Sequence, residues 1–223
     1  MITLHHLNNS RSQRIIWLLE ELGVEYDIKR YERDAKTSLA PKALEQVHPL
    51  GKSPVITDGD HTIAESGLII EYLASLSPQA GLMPTQDDPN HWNNKYWIHY
   101  AEGSLMPLLV MTLVFEKVRT APMPFFIKPI ARAIADKAEA GYSGPNLKKH
   151  LAYIDAHLKT NTWFCGEHKR AADYQMIFPL EAALVRAEGR YAYPNIARYV
   201  DQVHALESYQ VALKKGGPYA YAG

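Results

Sequence analysis

Asn9-Ser10-Arg11-Ser12 sets an amide and two hydroxyls at the joint between two regular segments. Ile2 to Leu7 reads as a strand, and Ile15, Ile16, Leu18, Leu19 and Leu22 follow the i, i+3, i+4, i+7 spacing of a helix. Such a joint aims unpaired backbone N–H groups and a partial positive charge at whatever lies before the helix. A Cys-x-x-Cys pair there would exchange disulfides. Hydroxyls cannot, but they can hold another molecule's thiolate. Ser10 is the candidate donor, with Asn9 and Ser12 as alternatives. A free thiol ionises near ~8.5, one pKa unit is about 1.4 kcal/mol, and a hydrogen bond to a charged group contributes about 1.5–3 kcal/mol. One hydroxyl and a helix end therefore lower a bound thiol by roughly one to two units, which makes the thiolate dominant at neutral pH. Ser10 to Gln13 also fits the S-x-x-Q capping box. Capping and donation are compatible, because a hydroxyl has one proton and two lone pairs.

Two further groups point to the same ligand. Ser53-Pro54, before the strand-like Val55-Ile56-Thr57, fits either a cis turn or a trans proline opening an edge strand. In the cis form the Ser53 backbone is left to pair with a peptide-like molecule. Glu65 and Ser66 open a helix, where amides and the dipole favour a carboxylate and Glu65 can meet an ammonium; plain capping gives the same pattern. Thiol, peptide-like middle and zwitterionic end are what the three groups together select.

The elements that must carry these residues fall in two textures. Before residue 78 strands and helices alternate as βαβ-α-ββα, with Gly23 as a helix stop, a short helix from Pro41 to about Val47, and a hairpin at Asp58-Gly59-Asp60. Residues 78–90 are proline-rich and aperiodic and read as a linker. Beyond them the patterns are helical: a long helix from His91 to about Arg119 kinked at Pro107, one ending near Ala140, one after Pro145, one from Ala172 to Glu188 stopped by Gly189, and two more to Lys215. The expected organisation is an α/β domain over 1–77 and an all-α domain over 91–223.

Composition narrows the class. The 24 Lys+Arg balance the 24 Asp+Glu, so nothing draws the chain generically to nucleic acid or an anionic membrane. Cys165 is the one cysteine, which excludes an internal disulfide and suits a reducing, cytoplasmic setting. The apolar stretch from Leu105 to Phe115 is too short to span a bilayer. The ten histidines show no compact ligand spacing, and no metal site is expected.

In order and spacing the motifs resemble the cytosolic glutathione S-transferases of the serine type, bacterial and fungal members included. The resemblance lies in Ser-Arg-Ser-x-Arg before Trp-Leu-Leu-Glu-Glu-Leu, His-Pro-Leu-Gly-Lys-Ser-Pro-Val-Ile, Ile-Ala-Glu-Ser-Gly-Leu-Ile-Ile-Glu-Tyr-Leu and Ala-Ala-Asp at 171–173. It implies a thioredoxin-like N-terminal domain, a helical C-terminal domain, a homodimer, and glutathione as co-substrate with no permanently bound cofactor. Ser10 then matches the thiolate-stabilising serine, Pro54 the cis-proline, Ser53 the partner of the cysteinyl unit, Glu65 and Ser66 the grip on the γ-glutamyl end, and Lys52 a cation for the glycyl carboxylate. Met106, Leu108, Met111 and Phe115 are expected beside the sulfur, lining the pocket for a small apolar electrophile, or else forming a plain core stripe. Glu102 is within reach of the partner subunit's γ-glutamyl site. The chain departs from the family at Arg170, where a capping Ser or Thr is usual. The implied activity is conjugation of glutathione to electrophiles. Glutathione-dependent peroxide or disulfide reduction, or a non-catalytic binding protein on the same fold, are the alternatives.

Overall fold

The computed structural model describes residues 1–185 and 192–221. Four strands, β1 (Ile2–Leu7), β2 (Tyr26–Tyr31), β3 (Val55–Asp58) and β4 (His61–Ala64), form one sheet in the order β2-β1-β3-β4. β2 runs parallel to β1, pairing Ile2 with Tyr26, while β3 runs antiparallel to β1 and to β4. α1 (Ser12–Leu22) supplies the crossover between the parallel strands and ends at Gly23 in the left-handed conformation, as expected for a glycine stop. α2 (Ser66–Leu76) follows the hairpin. The mixed sheet with its helices is the thioredoxin-like βαβ-α-ββα arrangement. The segment after Pro41 is a single 3-10 turn, Lys42–Leu44, shorter than its sequence suggested.

The remaining helices are α3 (His91–Tyr100), α4 (Met106–Thr120), α5 (Lys128–Ala138), α6 (Gly144–Thr160), α7 (Ala171–Leu184), α8 (Pro194–His204) and α9 (Glu207–Gly216). The expected stop at Gly189 lies outside the described residues. One hydrophobic core joins sheet and helices, running from Leu4 and Ile56 through Trp17 to Tyr174 and Tyr199. α1 is amphipathic by sequence, yet every residue from Ser12 to Leu19 is buried, because α7 and α9 cover its second face. The Trp17 ring lies 4.2 Å from that of Tyr174, tilted by 38°, and Trp17 donates from Nε1 to Ser208 Oγ at 3.2 Å. A Cβ on Gly216 would fall 2.2 Å from Gln13 Oε1, so α9 meets α1 at backbone distance.

The long helix is interrupted earlier than Pro107 suggested. Ala101–Leu105 forms a π-turn, with one more residue per turn, and Pro107 sits in the first turn of α4. Proline brings no N–H to bond the preceding turn, which favours such a break. His91–Thr120 is nonetheless a continuous helical run. It is the one run among the described residues long and apolar enough to cross a membrane, against the shorter stretch read from sequence, and its Trp97, Ile98, Leu105 and Leu109 lie in the core.

Arg170 offers α7 no capping hydroxyl, and the orphan N–H groups of that helix are met otherwise. Ala171 N–H donates to Leu82 C=O at 3.0 Å and Ala172 N–H to Asn94 Oδ1 at 3.0 Å. Asp173 receives the Arg170 N–H at 2.8 Å and the Phe164 N–H at 2.9 Å. The Arg170 guanidinium instead donates to Gly81 C=O and pairs with Asp88 at 3.6 Å, fastening the linker to the helix start.

Candidate functional site

Strand β1 ends where the first turn of α1 begins, and the turn places Ser10 at a cavity wall. Ser10 is 4% exposed and Ser12 fully buried behind it. Ser10 Oγ lies 2.7 Å from Ser12 Oγ and accepts from the Ser12 N–H at 3.2 Å. The expected capping box does not form. Ser10 Oγ receives Ser12 rather than Gln13, and the Gln13 side chain donates across the core to Ala212 C=O at 2.9 Å. Asn9 also reaches the cavity, in a positive-φ conformation (φ 49°), with its Oδ1 accepting the Ala220 N–H at 2.7 Å. Ser12 lines neither cavity described below, which separates it from the other two candidates.

Ser53-Pro54 is cis. Pairing of β3 with β1 begins at Val55, so the Ser53 backbone lies just beyond the ladder. The Ser53 hydroxyl turns inward, donating to His5 C=O at 2.8 Å and accepting from Leu7 N–H at 3.2 Å, and thereby ties the turn to the strand that leads to Ser10.

Glu65 is the residue before α2, exposed and at φ 71°, and Ser66 is buried at the first position of the helix. Ser66 Oγ accepts from Arg14 Nη2 at 2.6 Å and from Gln175 Nε2 at 3.4 Å. Its two lone pairs are thereby used, and its proton is available to a ligand. Arg14, buried at 1% exposure, also donates to Gln175 C=O and Glu102. Arg11 holds the same Glu102 carboxylate at 2.9 Å, so Glu102 is engaged within its own chain. Burial alone pushes the Glu102 carboxyl up, but the Arg14 and Arg11 guanidinium groups outweigh it and hold the carboxyl below its usual range.

Two contiguous cavities meet at Arg11, Lys52 and Ser53. The first, about 280 Å³, is lined by polar and charged groups including Glu65, Ser66, Glu102 and His48, together with Pro54. The second, about 470 Å³, has Asn9, Ser10 and Arg33 at one end and an apolar wall at the other. Asn9, Ser38 (φ 59°) and Glu65 are the non-glycine residues with positive φ among those described, and all three line these cavities. Such conformations cost on the order of 1–3 kcal/mol each and gather where a site is held in a set shape.

The apolar wall differs in part from the expected one. Met106 is there, but Leu108, Met111 and Phe115 are not among the lining residues; α4 presents Leu109, Val110 and Leu113 instead. Met106, Leu109, Val110 and Leu113 follow the i, i+3, i+4, i+7 spacing of one face of α4, and Leu108, Met111 and Phe115 lie on the opposite face. Phe178 and Ala182 of α7 and Tyr221 complete the wall, with Tyr221 edge-on to Phe178 at 5.5 Å. Sequence reading missed these, and missed Arg33, whose guanidinium is held by the carbonyls of Asn8 at 3.2 Å and Ser38 at 3.0 Å. No local motif marks them, because distant segments bring them in.

The chain was then compared with known proteins. The family model for the glutathione S-transferase N-terminal domain matches residues 1–75, and that for the C-terminal domain matches residues 109–207. Glutathione S-transferase 3 of Schizosaccharomyces pombe is 37% identical, over 96% of this chain and 88% of its own length. Glutathione S-transferase 1 of Saccharomyces cerevisiae is 33% identical, over 96% and 95%. A solved glutathione S-transferase from Actinobacillus pleuropneumoniae superposes with a TM-score of 0.79 at 30% identity, covering 100% of this chain and 95% of that one. With both halves matched and relatives similar from end to end, the chain belongs to the glutathione S-transferase family.

Proposed function

We propose that this protein binds glutathione across the two cavities, ionises its thiol and transfers it to small, mostly apolar electrophiles. The observation that carries this reading is the convergence of Ser10, the cis Ser53-Pro54 turn and the Glu65-Ser66 helix start on one continuous pair of cavities. The γ-glutamyl end lies at Glu65 and Ser66, the cysteinyl backbone pairs with Ser53, and the glycyl carboxylate lies toward Lys52 and Arg33. The sulfur then faces Ser10. Its proton leaves to solvent, and the Ser10 O–H, keeping its own proton, donates to the thiolate. The thiolate attacks the electrophilic carbon, an S–C bond forms, and the displaced group departs with the bonding pair. Residues 1–77 hold glutathione and 91–223 supply the wall for the second substrate, centred on Met106, Leu109 and Phe178. Cys165 is buried and its thiol is pushed up to about 12, by burial first and by Asp173 next. That favours transfer over any disulfide exchange through a protein thiol. A cytoplasmic homodimer in detoxification is the setting this reading implies.

Ser10→Ala tests it. The pKa of bound glutathione, followed by thiolate absorbance, is expected to rise by roughly one to two units, and conjugation of a chloro-nitro-arene at neutral pH to fall with it. Glutathione affinity at high pH should stay nearly unchanged. If the titration moves in Asn9→Ala and not in Ser10→Ala, the turn is right and the residue wrong.

A further inference from the structure

The hairpin formed by the end of α4 and the start of α5 turns its large apolar side chains outward. In the connection Phe125 and Phe126 are 84% and 64% exposed, with their rings edge to face at 5.6 Å. On α5, Ala131, Ala135 and Ala138 recur at i, i+4, i+7 on the more sheltered face, while Ile130 and Ile134 stand 61% and 63% exposed. A helix packed in water does the opposite, hiding its large apolar residues. Ile127 and Val118 extend the same exposed end. Apolar surface gathered in one place in this way marks a contact site.

Charge identifies the kind of partner. Over the whole chain cations and carboxylates cancel, but the stretch from Met106 to Glu139 carries five Lys and Arg against three Asp and Glu. Arg119 gathers all three carboxylates, Glu116 at 3.4 Å, Asp136 at 2.7 Å and Glu139. Lys117, Lys128, Arg132 and Lys137 are exposed and form no ion pair among the described residues. Lys117, Lys128 and Arg132 lie within about 6 Å, along their helices, of the ends that meet the connection. The tip is thus aromatic and aliphatic, with a collar of free cations. A second copy set on this face by a two-fold axis would bring those cations against themselves. An anionic lipid surface satisfies both features. Apolar side chains enter the boundary between headgroups and acyl chains, about 5–10 Å deep, and Lys and Arg extend to the phosphates.

We propose that the α4–α5 tip docks this protein onto anionic lipid bilayers as a peripheral contact, with Phe125, Phe126, Ile127 and Ile130 in the boundary and Lys117, Lys128 and Arg132 on the headgroups. The docking does not rest on the transferase reading, but the geometry links the two. Val110 and Leu113 line the apolar end of the second cavity and are themselves exposed on α4. Leu113 is seven residues from Thr120, about 10 Å along the helix. A protein docked by its tip holds that end of the cavity near the phase in which apolar compounds dissolve.

Flotation of the full-length protein with phosphatidylcholine vesicles, with and without about 30% phosphatidylserine, tests the contact. Binding to the anionic vesicles is expected at about 0.1 M salt, and should fall at least about 5-fold at about 0.5 M salt or on neutral vesicles. Phe125→Ser/Phe126→Ser should weaken it about 10-fold or more. Lys117→Gln/Lys128→Gln/Arg132→Gln should weaken it about 10-fold on anionic vesicles and leave any binding to neutral ones unchanged. All five positions are exposed, so both variants should conjugate a water-soluble chloro-nitro-arene within about twofold of the parent, which also reports that they fold. A parent that does not float with anionic vesicles overturns the proposal, as does binding that survives loss of the two phenylalanines or is equal on neutral vesicles. If the parent ignores vesicles and the phenylalanine variant halves its sedimenting mass, the face belongs to a second copy and the proposal fails. A parent that floats but conjugates nothing leaves the docking standing and refutes the transferase reading alone.

Discussion

Ser66 carries two loads that separate under mutation. Its oxygen accepts from Arg14 at 2.6 Å, and it lines the polar cavity beside Glu65 with its proton unused by those bonds. Ser66→Ala and Glu65→Ala should each weaken glutathione binding by about 1.5–3 kcal/mol, read by calorimetry, since each removes a hydrogen bond or pairing with a charged group. Only Ser66→Ala should also lower the unfolding midpoint, because it takes an acceptor from the buried Arg14 guanidinium, whereas Glu65 is exposed. Equal stability loss in both, or unchanged affinity in both, rejects this division of roles. Residues of this kind were legible in the sequence. Ser10, Ser53, Pro54, Glu65 and Ser66 sit at element ends, where the motif and the turn it builds are the same few residues. Arg33, Phe178 and Tyr221 were not, because segments distant in the chain bring them to the cavity.

At the level of elements, the start of α7 shows how an unfavourable cap residue is accommodated. The Arg170 side chain cannot accept a hydrogen bond, and the work falls to the Leu82 carbonyl, Asn94, Asp173 and the Arg170 carbonyl itself, which takes the Asp173 N–H at 3.0 Å. Asn94, fully buried on α3, meets the Ala172 N–H, which has no other partner within reach of its own helix. Asn94→Leu should therefore destabilise the protein by about 1–3 kcal/mol in denaturant melts, the cost of a buried donor left unpaired. A variant that melts with the parent would show that this cap is dispensable. The succession of strands and helices in the first domain, the glycine stop of α1 and the hairpin followed from local pattern. The π-turn at Ala101–Leu105 did not, since periodicity over a window averages away one extra residue. Of the four residues expected there, Met106 lines the cavity, and Leu108, Met111 and Phe115 lie on the other side of α4.

For the molecule as a whole, the outer side of α2 and α3 presents large apolar side chains to solvent. Leu68, Trp92 and Tyr96 are 56%, 69% and 46% exposed there, beside a shallow cavity lined by Glu65, Leu68, His99 and Glu102. A two-fold dimer formed on this side would bury those groups in a self-complementary contact. It would also bring the edge of each polar cavity to the interface, since Glu65 and Glu102 line both that cavity and the groove. Sedimentation at micromolar concentration should then give twice the 25.2 kDa of one chain. Leu68→Arg should shift the population toward monomer and weaken glutathione binding with it, because the groove and the γ-glutamyl end share those two carboxylates. A single 25.2 kDa species in the parent rejects the dimer. A dimer that survives Leu68→Arg with unchanged glutathione affinity moves the contact elsewhere, and the exposed Phe125, Phe126, Ile130 and Ile134 on and before α5 become the face to test.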